Sequence, residues 1–190
     1  IIMATSFKGF RIKSFKKYQP IVSLKKVYLS FGKRNILNNI NFNIPAGVSG
    51  LLGPNGAGKS SIFNLISGLL KPNSGSIYFG NTNATEYPIY LRTRMYHLGM
   101  VPQSGGTFSS LTITENLRCI GEILINNKRE LDSKINYLID KFKLGAVKDI
   151  KVQNLSGGEK RKTTIAAALL GDPKVLLCDE PFSQLDVLTI

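Results

Sequence analysis

At 190 residues with 43% apolar side chains, the chain is long and apolar enough to bury a core of its own, which excludes a disordered segment as the overall class. Its longest apolar runs, such as Ile165–Leu170 and Val175–Cys178, fall well short of the roughly 20 residues that a membrane-spanning helix needs, so the chain itself is not expected to cross a bilayer. A formal net charge of +13 points to anionic partners (nucleotides, nucleic acid or anionic lipid headgroups) or to a genome rich in Lys codons, while two distant cysteines, Cys119 and Cys178, give no CxxC pair and argue for a reducing compartment without a structural metal.

The elements follow in chain order. Residues 1–20 set Phe7, Phe10, Phe15 and Tyr18 among Lys8, Arg11, Lys13, Lys16 and Lys17, the pattern of a basic segment that either lies on a membrane surface or frays as a disordered terminus. Ile1-Ile2-Met3 is an unusual start, and no apolar stretch of signal-peptide type follows it. Ile21–Leu29 is expected as a strand, and Ile36–Ile44 alternates Ile40, Phe42 and Ile44 with Asn39, Asn41 and Asn43, giving an antiparallel layer. Val48–Leu52 is a short apolar strand running into glycines. Ser60–Leu70 then carries Ile62, Phe63, Leu65, Ile66, Leu69 and Leu70 at helical period. A turn at Lys71–Gly75, a strand at Ser76–Phe79, a short helix at Pro88–Met95 and a strand at Leu98–Val101 follow. From Ser104 the composition changes to helix formers, with helices at Glu115–Leu124 and Leu131–Phe142, so an inserted helical subdomain of about 104–157 is expected. A helix at Gly158–Leu170, stopped by Gly171-Asp172-Pro173, leads to a buried parallel strand ending at Cys178.

Three stretches carry chemistry. Gly53-Pro54-Asn55-Gly56-Ala57-Gly58-Lys59-Ser60 fits G-x-x-x-x-G-K-[ST] at every fixed position and lies between a strand and a helix, the context this motif requires. Its backbone N–H groups turn inward around phosphates, Lys59 places a point charge on the terminal phosphate oxygens, and Ser60 offers a hydroxyl to Mg²⁺; Ser61 follows in the same turn. Asp179 and Glu180 close the strand Val175–Cys178, at the edge where α/β sheets bind ligands: Asp179 can hold Mg²⁺ and Glu180 can polarise an attacking water. Between them, Ser156 has the chemistry of an N-cap and Gly157 and Gly158 expose N–H groups at the positive end of a helix, a stretch suited to face a phosphate.

In this order, Gly53–Ser60, Leu155-Ser156-Gly157-Gly158-Glu159 and Asp179-Glu180 resemble the ATP-binding subunits of ABC transporters from about Ile21 to the last residue. The resemblance implies an α/β P-loop NTPase fold with an N-terminal antiparallel β layer and the inserted helical subdomain, residues 21–190 forming the ABC ATP-binding domain. It implies ATP and Mg²⁺ as ligands, with ATP held by the P-loop of one copy and closed over by Ser156, Gly157 and Gly158 of a second. It also implies that Gln103 touches both Mg²⁺ and the attacking water, that Phe31 stacks on adenine with Tyr28 as the alternative, and that Asp186 crosses the dimer interface unless it serves as a helix N-cap. Two departures stand out. His97, the single histidine, lies upstream of Gln103 and cannot be the family's switch histidine, so a fragment incomplete at the C-terminus is expected; and Ala167 stands where relatives often carry Arg.

Val101-Pro102-Gln103 with Thr107-Phe108, the run Glu159-Lys160-Arg161-Lys162, and Asp179-Glu180-Pro181-Phe182 look most like lipopolysaccharide-export subunits, with branched-chain amino-acid importer subunits as the rival. The partners so implied are a second copy of the chain and transmembrane permease subunits, with peripheral association at the cytoplasmic face of a bacterial inner membrane and no direct contact with nucleic acid. Without the switch histidine, the competing expectation is a module that binds nucleotide and does not turn it over.

Overall fold

In the computed structural model, which describes the backbone of residues 2–4 and the whole of residues 20–180, the chain divides into two units: residues 1–98 with 174–179, and residues 99–173 with Glu180.

The first unit is built on an antiparallel sheet. Strands β2 (Val22–Phe31) and β3 (Arg34–Ile44) are joined by a two-residue turn at Gly32-Lys33, where Gly32 takes a φ of 58°. β2 also pairs with β5 (Ser74–Phe79), which pairs with β6 (Thr82–Asn83), giving the order β3-β2-β5-β6. Val22, Leu24, Val27 and Leu29 are buried while Lys25 and Lys26 are both exposed. One extra residue in the strand accounts for the break in alternation: the register shifts between Leu24 and Val27, Lys26 adopts a φ of 50°, and its N–H is taken by Asn41 Oδ1 at 2.8 Å. Gly75 lies against this bulge, and a Cβ there would fall 2.2 Å from the Lys26 carbonyl oxygen.

A second set of strands supports the phosphate loop. β1 (Ile2–Ala4) lies between β4 (Gly47–Ser49) and β8 (Val175–Cys178), antiparallel to both, with Ile2 opposite Ser49 on one side and Leu177 on the other. Two expectations change here. The parallel strand expected before Asp179 is paired antiparallel within this unit, because residues 2–4 of the basic N-terminal segment supply its neighbour. The strand expected over Val48–Leu52 keeps only Gly47–Ser49, since β1 pairs with just those three residues, and Leu52 is left 92% exposed. The aromatic and basic residues between 5 and 19 lie outside the described residues. Helix α1 (Lys59–Ser67) follows the loop and ends earlier than the apolar pattern suggests, because Gly68 in left-handed conformation (φ 86°) turns its N–H back to the carbonyls of Asn64 and Leu65. Helix α2 (Ile89–Tyr96) packs beside it and ends at His97, whose carbonyl accepts from the Lys174 N–H at 2.9 Å.

Strand β7 (Leu98–Val101) carries the chain into the second, helical unit. Here α3 (Ile113–Leu124), α4 (Lys128–Lys141) and α5 (Gly157–Leu169) enclose a core that includes Ile113, Leu117, Leu131, Ile135, Leu138, Leu155, Ala166 and Leu170. The unit is wider than 104–157 because α5 contributes Ala166 and Ala167 to that core, where Ala167 is buried. Capping residues set the helix starts: Thr112 and Glu115 form a capping box on α3, and Asn127 Oδ1 accepts from the N–H groups of Arg129 and Glu130 on α4. No described helix is long and apolar enough to cross a membrane.

Candidate functional site

In the first unit, Gly53–Gly58 form an exposed loop whose last residue, Gly58, takes a φ of 87° and begins α1. That φ disfavours any residue with a Cβ, and a Cβ on Gly58 would also have to displace Leu37 Cδ2, 2.8 Å away. The helix start carries no side-chain cap and no acidic residue in its first turn. Its first N–H groups therefore suit an external anion. Lys59 Nζ donates to the carbonyl oxygens of Gly53 and Pro54, both at 2.8 Å, which folds the cation over its own loop. Neutral carbonyls leave that charge uncompensated, and a polyphosphate is the natural counterion. Ser60 is exposed and Ser61 half-buried in the same turn. In the unit's last stretch of sequence, β8 is buried along its length and delivers Asp179, half-buried, at its end. A hydroxyl and a carboxylate are hard oxygen donors of the kind Mg²⁺ takes, so the residues present fit both a nucleotide triphosphate and its metal. Phe31, at the end of β2, is 52% exposed and Tyr28 38%.

The far end of α1 is held by a residue that sequence reasoning missed. Arg92 of α2 is 1% exposed, and its guanidinium donates to the carbonyls of Leu65 (2.6 Å), Ile66 (2.9 Å), Tyr87 (2.7 Å) and Thr85 (3.1 Å). Leu65 and Ile66 belong to the last turn of α1, where helix carbonyls have no partner within the helix and the dipole favours a cation. Burial pushes the Arg92 pKa down to about 10, which leaves it charged at neutral pH.

In the second unit, Gln103 and Glu180, separated by 77 positions in the chain, meet: Gln103 Nε2 donates to Glu180 Oε2 at 2.9 Å. Glu180 takes a φ of 47°, a left-handed conformation uncommon outside glycine. The signature stretch opens α5 with a complete capping box. Ser156 Oγ accepts from the Glu159 N–H at 3.3 Å, and Glu159 Oε2 accepts from the Ser156 N–H at 2.8 Å and its hydroxyl at 2.7 Å. The Ser156 side-chain and backbone bonds hold the Glu159 carboxyl below its usual range. Ser156 is thus positioned by Glu159, with Gly157 and Gly158 forming the first turn. Asp186 lies outside the described residues. Arg161, on the second turn of α5, is buried, and sequence reasoning assigned it no role in the site; a long basic side chain on a helix gives no sign of burial until the fold is known.

A phosphate loop opening an uncapped helix, in a chain whose later acid pair ends a buried strand, defines a P-loop nucleotide-binding protein. Residues 37–183 match the ABC transporter family, and the chain belongs to that family. It is 34% identical over 92% of its length to an ABC transporter ATP-binding protein of Rhizobium meliloti, of which it spans 64%. It is 33% identical over 90% of its length to the lipopolysaccharide export system ATP-binding protein LptB of Acidithiobacillus ferridurans, spanning 70% of that protein, and 36% identical over 87% to the Nod factor export ATP-binding protein I of Rhizobium meliloti, spanning 49%. Among solved structures, the ADP conformation of MJ1267, an ATP-binding cassette of an ABC transporter, superposes with a TM-score of 0.74 at 27% identity, covering 88% of this chain and 71% of that one. The chain therefore spans about half to two-thirds of the length of several of these relatives.

Proposed function

We propose that this chain binds and hydrolyses ATP as the ATP-binding subunit of an ABC transporter. The observation that carries the proposal is the uncapped, acid-free start of α1 with Lys59 folded over its loop by two neutral carbonyls, a cation and a set of N–H groups ready for phosphate. In this proposal the N–H groups of Gly53–Ser60 and the Lys59 ammonium bind the phosphates, and Ser61 completes the turn. Phe31 stacks on the base. Ser60, Asp179 and Gln103 hold Mg²⁺, which when bound neutralises charge on the phosphate oxygens. Glu180 takes a proton from the attacking water, and the Gln103 amide, bonded to the Glu180 carboxylate, orients it. Ser156, Gly157, Gly158 and Asp186 act on ATP held by a second copy of the chain.

The partners we propose are that second copy and transmembrane permease subunits, which place the protein peripherally at the cytoplasmic face of a bacterial inner membrane. The two relatives whose names state a cargo are export proteins, which supports export as the direction. We name lipopolysaccharide as the cargo to test first, on the sequence details around Gln103, Arg161 and Glu180.

The test is a pair of variants in the full chain. Lys59→Ala should abolish binding of a fluorescent ATP analogue without changing the circular dichroism spectrum. Glu180→Gln should keep ATP binding, lose about 10² to 10⁴ in turnover, and accumulate as an ATP-bound dimer on size exclusion. Undiminished ATP affinity in Lys59→Ala sinks the phosphate-loop assignment. Normal turnover in Glu180→Gln removes the base.

A further inference from the structure

Arg161 is 6% exposed, and a guanidinium so deeply placed has to be matched by acceptors. Two of them are backbone carbonyls at the two places that support the Gln103–Glu180 pair. Arg161 Nη1 donates to the carbonyl of Pro102, the residue before Gln103, and Nη2 donates to the carbonyl of Glu180 itself at 2.9 Å. The side chains close the circuit above the backbone, with Gln103 Nε2 on Glu180 Oε2 at 2.9 Å. One planar, rigid donor therefore sets the spacing of two chain segments that are far apart in sequence.

Both segments need such a hold. Glu180 stands at a φ of 47°, where a residue with a Cβ stays only if its surroundings fix it. The Gln103 loop is seated on the same edge of α5 one turn further along: the Thr164 hydroxyl, shared with the Lys160 carbonyl at 3.1 Å, lies 3.4 Å from the Gly105 carbonyl, and a Cβ on Gly106 would lie 2.8 Å from Thr164 Cγ2. Residues 161 and 164 share a helix face. The same helix begins at Ser156, so a ligand that engages its cap acts on a rod whose second turn carries the arginine.

We infer that Arg161 is a positioning residue for ATP hydrolysis, holding the backbone of Glu180 and of the Gln103 loop so that the carboxylate and amide face the water together, and tying that pair to the signature helix. The inference rests on the proposal that Glu180 is the base.

The experiment uses Arg161→Lys and Arg161→Met in the full chain, with affinity for a fluorescent ATP analogue, kcat and thermal melting measured on each. Arg161→Met should bind the analogue within about twofold of the parent and lose about 10² in kcat, because phosphate contacts are untouched while the base is misplaced. Arg161→Lys, whose point-like ammonium lacks the fork that spans both carbonyls, should retain an intermediate kcat. Arg161→Met added to Glu180→Gln should cost less than about twofold more in single turnover, since a residue that acts through the base has nothing left to position. Full multiplication of the two losses, a parallel fall in ATP affinity, or a kcat within about threefold of the parent would overturn the inference. If Arg161→Met does not fold, the kcat and affinity of Arg161→Lys decide by the same criteria. Normal turnover in Glu180→Gln would remove the base assignment and this inference together, an outcome distinct from a stalled Glu180→Gln beside an active Arg161→Met.

Discussion

Replacing Arg92 by Met should destabilise the first unit by about 3–5 kcal/mol, since several buried carbonyls lose their donor at about 1–3 kcal/mol each and part of that is offset by removing a buried cation. Methionine fills much of the same space, so the loss is one of hydrogen bonding. The carbonyls of Leu65, Ile66, Tyr87 and Thr85 lose the donors they now meet at 2.6 to 3.1 Å. A net value of about 1.5–3 kcal/mol for each of the four bonds to a charged group would sum to about 6–12 kcal/mol, comparable to the whole stability of a domain. The four bonds share one cation whose burial already carries a desolvation cost, and the lower range follows. At about 2–4 °C per kcal/mol for a chain of this size, the midpoint of thermal unfolding should drop by about 6–20 °C. The pH dependence is equally specific. A folded pKa near 10 lies below the ordinary guanidinium range, so the folded state releases this proton first, and the contribution of Arg92 is flat below pH 10 and grows only above it. The parent and Arg92→Met should therefore melt with the same separation at pH 6 and pH 8, followed by circular dichroism. A shift below about 3 °C would mean that the carbonyls find water once the cation is gone and that Arg92 does not secure the end of α1.

Gly75→Ala should lower the urea midpoint by an amount equivalent to at least about 3 kcal/mol, combining left-handed strain with overpacking against the Lys26 backbone; a midpoint unchanged within error would contradict the close approach of β5 to the bulge. Glu115, whose carboxyl is held below its usual 4.5 by the Thr112 backbone and hydroxyl, adds stability that is present above that value and disappears as pH falls through the lower folded one. Glu115→Gln should accordingly melt with less sensitivity between pH 6 and pH 3.5 than the parent, and equal slopes would refute the capping box as the cause. Mixing a Lys59→Ala chain with a Gly157→Asp chain should yield ATPase activity above either alone, since one composite site then keeps both a normal Lys59 and a normal Gly157; proven heterodimers without activity would count against sites shared between copies.

The phosphate loop, the signature helix and the acid-ended strand were legible because their chemistry is local: fixed spacing of Gly, Lys and Ser, a serine before two glycines, an apolar run before two acids. Helix starts were misplaced by one to three residues where the capping signals went unused. Thr112-Ile113-Thr114-Glu115 and Asn127 state the beginnings of α3 and α4 in the sequence itself. Other features had no local signal at all. β1 is a three-residue strand whose partners are 43 and more positions away, so only the assembled sheet reveals it. The bulge at Lys26 depends on Asn41 across the sheet, and nothing local to Lys25-Lys26 announces it. The Gln103–Glu180 bond joins residues whose roles were expected but whose meeting is a matter of tertiary structure.

The two buried arginines show why such residues escape a sequence reading and yet bear on function. In a chain with 25 basic and 12 acidic residues, most cations are solvated, and nothing in the pattern marks Arg92 or Arg161 as different. What distinguishes them is the set of backbone carbonyls the fold turns toward them: the last turn of α1 for Arg92, and the peptide links at Pro102 and Glu180 for Arg161. Carbonyls satisfy the hydrogen-bonding need of a guanidinium without cancelling its charge. Arg92 thus fixes the helix that carries Lys59 and Ser60 while leaving the first unit's positive charge intact. In a protein proposed to bind a polyphosphate, a carboxylate partner at that position would hold the helix as well and would weaken the field that draws the substrate in.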